Sequence, residues 1–375
     1  MTANTNDAGY QSSIQAEQAE FIAALESQMH DFFASQRTVV EQVSPDALPL
    51  LNFIESLSTG GKRLRALLCY WGWRGAGGAT LAPEVVRAGL AIELFQTAAL
   101  IHDDIIDNSD TRRGAPAVHK RFEAMHTENR WAGSVADFGV AGAILSGDLC
   151  LSMSETAFSS VGQAGAWGTY AREVFDVMRA EVMAGQYLDI LAEVEDAADP
   201  DTAFQRAERV IRYKSAKYSC EHPLVLGGAL ASGATAGKPS TLLQDFSNFA
   251  LPLGEGFQMR DDILGVFGEP EVTGKPAGDD LREGKRTVLI ALTEKNSTAQ
   301  QVQLLNSSLG SPNLSLEKVQ ELQQLISGSG ALAEVEQLID DKRAVVSSEL
   351  EKMSVADDVR FALGQIAVKA LHRLS

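Results

Sequence analysis

Apolar residues return at helical spacing along almost the whole chain, and this periodicity constrains the fold more than any other feature. Ile14, Phe21, Ile22, Leu25, Met29 and Phe32 mark the first amphipathic helix. The same pattern recurs over 48–58, 64–73, 85–106, 140–160, 166–195, 201–231, 240–267, 281–295, 316–327 and 331–354. The apolar/polar alternation of a half-buried strand is nearly absent. Pro83 suits the first turn of the helix that opens there. With no fixed-period repeat and no low-complexity tract, the expected architecture is all-α: a single large helical bundle over residues 11–375, with polar loops gathered at one end. Residues 1–10 are small and polar and are expected to be disordered. Residues 108–138 are rich in Gly, Asn, Asp, Arg and Thr and contain Pro116. They read as a long loop carrying a short helix, and loops of that length inside a domain are often functional.

Composition narrows the function. With 375 residues and 45% of them apolar, the chain can bury a large core. Its 32 Lys and Arg against 50 Asp and Glu leave a formal charge of -18, which repels nucleic acid at long range and excludes it as an expected partner. If the substrate is an anion, the basic residues must be gathered locally and the acidic ones must hold cations. Cys69, Cys150 and Cys220 show no CxxC spacing and sit among apolar or small residues, so neither a disulfide nor a zinc site is expected. The N-terminal residues lack the basic and apolar regions of a signal peptide, and no run of about 18 apolar residues occurs. A cytoplasmic protein without a transmembrane segment is the expectation.

Two acidic clusters stand at the ends of apolar helices. Asp103, Asp104 and Asp107 follow Leu100-Ile101-His102, and Asp261-Asp262 follow Gly256-Phe257-Gln258-Met259-Arg260. Asp103 and Asp107 share a helical face, where like charges cost a few tenths of a kcal/mol on a bare helix and more when partly buried. Mg2+ suits the balancing role, because it favours oxygen ligands and keeps waters that a phosphate can replace. Basic residues accompany both clusters: Lys62 and Arg65 after the Gly60-Gly61 turn, Arg112-Arg113 in the long loop, Lys214, and Lys275 and Lys285 beyond the second pair. Arg forks and Lys point charges are what a diphosphate requires.

These motifs, in this order, resemble the trans-isoprenyl diphosphate synthases, or polyprenyl synthetases, over roughly 45–300, most of all the bacterial geranylgeranyl diphosphate synthases. The shared segments are Gly60-Gly61-Lys62-Arg63-Leu64-Arg65, His102-Asp103-Asp104-Ile105-Ile106-Asp107, Arg112-Arg113-Gly114, Ser146-Gly147-Asp148, Gly185-Gln186-Tyr187-Leu188-Asp189 and Lys214-Ser215. Phe257-Gln258-Met259-Arg260-Asp261-Asp262, Gly274-Lys275-Pro276 and Asp280-Leu281-Arg282-Glu283-Gly284-Lys285-Arg286-Thr287 complete the set. The resemblance implies an all-α isoprenoid-synthase bundle with a central cavity, working as a homodimer. It also implies that isopentenyl diphosphate is condensed with an allylic diphosphate, helped by about three Mg2+ ions. It assigns metal contacts to Asp103, Asp107 and Asp261 with Asp104 and Asp262 supporting, isopentenyl diphosphate to Gly61, Lys62, Arg65 and Arg113, and the allylic diphosphate to Arg112, Lys214, Ser215, Gln258, Lys275 and Lys285.

Two positions depart from the family pattern. Gln96 replaces a histidine seven residues before Asp103, and Gly265 replaces the third aspartate of the second cluster. Gln96 can still donate hydrogen bonds to isopentenyl diphosphate but cannot become a cation. Product length is read from Ala98 and Ala99, about one helical turn below the first cluster, and Phe95, about two turns below. Small residues at 98 and 99 with a floor near Phe95 favour the C20 product. The alternatives are a C15 or a C25 to C40 synthase of the same family, a class I terpene cyclase, and a non-catalytic partner subunit. Lys62, Arg65 and the Arg112-Arg113 pair, which suit a second diphosphate, weigh against the cyclase. The complete first cluster weighs against the partner subunit. His102 more often packs or hydrogen-bonds structurally at such a position than acts as a base.

Overall fold

The computed structural model describes residues 5–195, 199–268, 278–311 and 313–371, with the backbone alone over 5–9. The protein is all-α. Helix α1 (Thr5–Val43) is followed by α2 (Leu48–Ser58), α3 (Leu64–Gly75) and α4 (Pro83–Ile106). A two-stranded antiparallel hairpin, β1 (Thr111–Arg112) and β2 (Ala115–Pro116), leads to α5 (Val118–Glu128), α6 (Val135–Ser159) and α7 (Tyr170–Val194). Next, α8 (Pro200–Val210) runs through a π-helical stretch, Ile211–Glu221, into α9 (His222–Ser232). The chain continues with α10 (Thr241–Phe267), α11 (Asp279–Glu283), α12 (Val288–Asn296) and α13 (Ala299–Ser308). It ends with α14 (Leu316–Gly328), α15 (Ala331–Lys352) and α16 (Asp357–Leu371).

Most of these elements coincide with the apolar periodicity, and the differences have local causes. The first helix begins at Thr5, so the disorder expected over 1–10 is replaced by helix from Thr5 onward, and residues 1–4 lie outside the described residues. The interval 108–138 is more ordered than a loop, holding the hairpin and the three-turn α5. Helix α13 lies in a polar interval and is fixed at its start by a capping box, in which Thr298 and Gln301 satisfy each other's backbone N–H groups. Serine and aspartate N-caps likewise start α6 at Ser134, α8 at Asp199 and α10 at Ser240.

The helices group into two compact units, residues 1–172 with 226–238, and 173–225 with 239–375. In the first unit α4 is the central element, packed chiefly against α6 and also against α3, α1 and α2. Each large apolar side chain that α4 buries contributes about 1.5–3 kcal/mol. The α4–α6 contact admits polar groups only where the backbone satisfies them: Cys150 Sγ donates to the Leu94 carbonyl (3.1 Å) and Ser154 Oγ to that of Ala91 (2.7 Å). Both α4 and α6 are long and apolar enough to cross a membrane, a property that the count of consecutive apolar residues did not reveal. The apolar window of α4 is 72% buried inside the protein, as in a core helix, whereas that of α6 is 33% buried. In the second unit α10 packs against the π-helical stretch and α15, over a core that includes Met259, Ile263, Leu281, Leu289, Leu305, Leu322 and Ile339.

Candidate active site

In the first unit, α4 delivers its carboxylates at its last turn. Asp103 and Asp104 lie inside the helix and Asp107 is its C-cap, its N–H donating to the Asp103 carbonyl at 2.8 Å. Asp104 is fully buried, and Asp103 and Asp107 are partly buried. A helix C-terminus is the end of the dipole that disfavours anions, so three carboxylates there require positive charge. One source is intrinsic to the fold. The hairpin turns through Arg113 (φ 54°) and Gly114 (φ 74°), and its tight two-residue turn places Arg112 on β1 beside the cluster. Arg112 Nε donates to Asp104 Oδ1 at 2.7 Å, and its Nη2 contacts the same oxygen and lies 3.5 Å from Asp103 Oδ2. Burial works against the guanidinium charge, but Asp104, Asp103 and Asp107 outweigh it and hold Arg112 above its ordinary pKa.

A basic cluster adjoins this one. Arg113 Nη1 donates to the carbonyls of Leu57 (3.0 Å) and Thr59 (3.4 Å), tying the hairpin to the end of α2. Gly61 has φ +91°, and a Cβ there would stand 3.1 Å from Arg113 Nη2, so backbone conformation and space both favour glycine. Burial, with Arg63, Arg112 and Arg65 nearby and Glu93 opposing them, lowers the Arg113 pKa from its ordinary value. Guanidinium groups gathered this closely favour an anion nearby. Lys62 is exposed on the same turn, Arg65 is partly buried in the first turn of α3, and Gln96 is partly buried on α4. Phe95 and Ala98 are buried and Ala99 partly so. A Cβ on Gly147 of α6 would lie 2.1 Å from His102 Nε2, and the ring nitrogen is 3.5 Å from both the Ile144 carbonyl and Asp148 Oδ1. Gly147 therefore makes room for His102, which packs against α6.

The second unit gathers the other candidates around α7, the π-helical stretch and α10. A Cβ on Gly185 would stand 2.4 Å from the Lys214 backbone nitrogen, and one on Gly254 would stand 2.6 Å from the Ala216 Cα, so glycines let α7 and α10 approach the π-helical backbone. Lys214 Nζ donates to Asp189 Oδ2 at 2.5 Å, and Ser215 is its partly buried neighbour. On α10, Gln258 Nε2 donates to Asp262 Oδ1 at 2.8 Å. Burial, Asp280 and then Asp261 push the Asp262 carboxyl up to about 8, against the opposing effects of Gln258 and Lys285. Lys285 Nζ lies 2.5 Å from Glu283 Oε2 and 3.8 Å from Asp280 Oδ1. A Cβ on Gly265 would fall 2.0 Å from Asp280 Oδ2. The space at the position of the missing third aspartate thus holds the Asp280 carboxylate, a member of the cluster that sequence spacing did not single out. Lys275 lies outside the described residues.

Among the described residues no three His, Cys, Asp or Glu side chains form a ready-made metal cage. Mg2+ is usually held by one or two carboxylates together with water and phosphate oxygens. The oxygen-only donors suit a hard cation, and the Asp262 carboxyl, raised first by burial and then by the charges of Asp280 and Asp261, faces negative charge that a cation would relieve.

The family model for polyprenyl synthetase matches residues 49–326. A solved geranylgeranyl pyrophosphate synthase from Corynebacterium glutamicum, complexed with isoprenyl diphosphate and magnesium, superposes with a TM-score of 0.87 at 34% identity, covering 94% of this chain and 99% of that one. The geranylfarnesyl diphosphate synthase of Aeropyrum pernix is 29% identical over 296 residues, 77% of this chain and 82% of its own length. The octaprenyl diphosphate synthase of Escherichia coli K12 is 29% identical over 291 residues, 76% and 78% of the two chains.

Proposed function

This chain belongs to the polyprenyl synthetase family, and from that premise we propose that it is a Mg2+-dependent trans-prenyltransferase that condenses isopentenyl diphosphate with allylic diphosphates, mainly to geranylgeranyl diphosphate (C20). The observation that carries the reading is Arg112 seated on the Asp104 and Asp103 carboxylates, with Arg113 over the Gly61 turn that leads through Lys62 to Arg65. One unit thereby offers an anion site and a cation-binding site side by side. A terpene cyclase needs no such site for a second diphosphate.

Asp103, Asp104 and Asp107 in one unit and Asp261 and Asp262 in the other are the residues that would hold Mg2+, with about three ions per active site. When bound, Mg2+ supplies charge neutralisation for the departing diphosphate. Arg112, whose charge the aspartates reinforce, holds the allylic diphosphate together with Lys214, Ser215, Gln258, Lys275 and Lys285. Gly61, Lys62, Arg65, Gln96 and Arg113 hold isopentenyl diphosphate. The allylic C–O bond breaks, the double bond of isopentenyl diphosphate forms the new C–C bond to the allylic carbon, and a proton passes to the released diphosphate. His102 packs against α6, which supports a structural role for it.

The C20 reading rests on alanines at 98 and 99 above Phe95, since a turn of helix rises about 5.4 Å, close to one isoprene unit. The same small side chains favour a longer product as the second reading. A homodimer is proposed from α6, whose apolar Ile144 and Leu145 are exposed. A cytoplasmic setting accords with three buried thiols that form no disulfide. The test incubates the protein with Mg2+, labelled isopentenyl diphosphate and each of dimethylallyl, geranyl and farnesyl diphosphate, and sizes the dephosphorylated products. A C20 alcohol that vanishes in Asp103→Ala and shortens to C15 or less in Ala98→Phe is expected. Longer alcohols move the floor below Phe95, and no elongation with any primer sinks the enzyme reading.

A further inference from the structure

The turn that carries Lys62 holds a non-glycine residue in a left-handed conformation. Arg63, the N-cap of α3, has φ 51° and ψ 31°. Gly60 and Gly61 adopt positive φ freely, but for arginine the same region is strained by its Cβ. The side chain shows what sustains it. Arg63 Nη1 donates to Glu93 Oε2 at 2.9 Å and Nη2 to the Ser58 carbonyl at 2.8 Å. The pair is almost wholly withdrawn from solvent, with side-chain exposures of 3% and 7%. Ser58 ends α2 and Glu93 belongs to α4, so one guanidinium joins the first residue of the turn, the end of α2 and the central helix. Ser58 Oγ lies 2.8 Å from the Ile54 carbonyl and 3.1 Å from Thr97 Oγ1, and Thr97 Oγ1 donates to the Glu93 carbonyl at 2.9 Å. The segment 58–65 is therefore clamped at both ends to α4.

We propose that Glu93 is a positioning residue for isopentenyl diphosphate: acting through Arg63, it fixes the backbone of 58–65 so that Lys62, Arg65 and the Gly61 face beneath Arg113 converge on one diphosphate. The inference rests on the proposed function for the identity of the anion. Two roles for Glu93 have opposite signs. As a mere negative charge near four arginines it would weaken anion binding, and its neutralisation would tighten it. As a clamp, its neutralisation loosens the turn and weakens binding.

The test measures isopentenyl diphosphate binding to the full-length protein by calorimetry in EDTA, which silences Mg2+-dependent binding, alongside steady-state kinetics with Mg2+. Glu93→Gln is expected to raise the Kd and KM for isopentenyl diphosphate about tenfold or more, the scale of one charge-assisted hydrogen bond misplaced. The allylic KM should stay unchanged and kcat within about twofold, because the clamp does not touch the allylic site. The double variant Arg63→Met/Glu93→Leu replaces the buried pair with apolar groups of similar volume, an exchange that often preserves stability. It should keep the wild-type Tm and still lose isopentenyl diphosphate affinity, which separates positioning from folding. Unchanged or tighter binding in either folded variant overturns the proposal. A wild type that binds isopentenyl diphosphate without elongating any primer, while Glu93→Gln loses that binding, sinks the prenyltransferase reading and leaves the clamp standing. A wild type that does not bind it at all overturns both.

Discussion

The two aspartate clusters look alike in sequence, three carboxylates in one and two in the other, each near the end of an apolar helix, yet the protein balances their charge differently. At the end of α4 the balance is built in: Arg112 reaches across from the hairpin to Asp104 and Asp103. On α10, among the described residues, no guanidinium is seated on Asp262. Gln258 offers one neutral donor, Asp280 adds a carboxylate through the gap left at Gly265, and the Asp262 carboxyl is pushed up to about 8. The first cluster meets its counter-charge within the fold, whereas at the second, burial and the neighbouring carboxylates favour the protonated form of Asp262. A cation arriving at the second cluster must displace that proton, so its binding is coupled to pH.

The largest expected effect comes from breaking the built-in balance. Arg112→Met leaves Asp104 buried without its partner and should cost about 3–5 kcal/mol of stability in the metal-free protein, measured by urea unfolding. A loss under 1 kcal/mol would mean that Arg112 does not compensate the first cluster.

A smaller effect is expected from the proton on the second cluster. The Asp262 carboxyl has a folded pKa raised well above its unfolded value, so between about pH 4 and 8 the native state binds more protons than the unfolded state. Stability in EDTA should therefore fall as pH rises through that window and level off above it, by about 2 kcal/mol between pH 6 and 8. Asp262→Asn should flatten this slope. A slope of the same size in the variant would place the proton elsewhere.

The smallest effect sharpens the comparison further. Gly265→Ala puts a methyl where the Asp280 carboxylate sits, and should cost about 1–3 kcal/mol by crowding. As Asp280 moves away from Asp262, the midpoint of the pH-dependent stability change should shift downward. An unmoved midpoint would mean that Asp280 does not act on Asp262.

Much of this was legible in the chain. The proline that opens α4 and the three-to-four-residue apolar spacing are local signals, and they placed most helices within a few residues, whereas the caps Ser134 and Asp199 were found only in the structure. The π-helical stretch was not legible, because its wider winding accompanies two glycines, Gly185 and Gly254, that come from other helices. Helix α16 was missed although Val359, Leu363 and Ile366 are buried at helical spacing near the end of the chain. Gly147 carried a clue that needed structure to interpret: it belongs to a recognisable motif, but its purpose is space for His102.

The sequence by itself determined that the chain is helical, that carboxylates close two apolar helices and that cations lie near them along the chain. These follow from backbone hydrogen bonding and side-chain period, which act within about four residues. Only the tertiary structure decided that Arg112 takes Asp104, that Asp280 fills the space beside Gly265, and that Arg63 locks onto Glu93. Each of these is a charge compensated in a buried setting by a group from another element. Which charge finds which partner depends on distance and desolvation, and neither is set until the helices have packed.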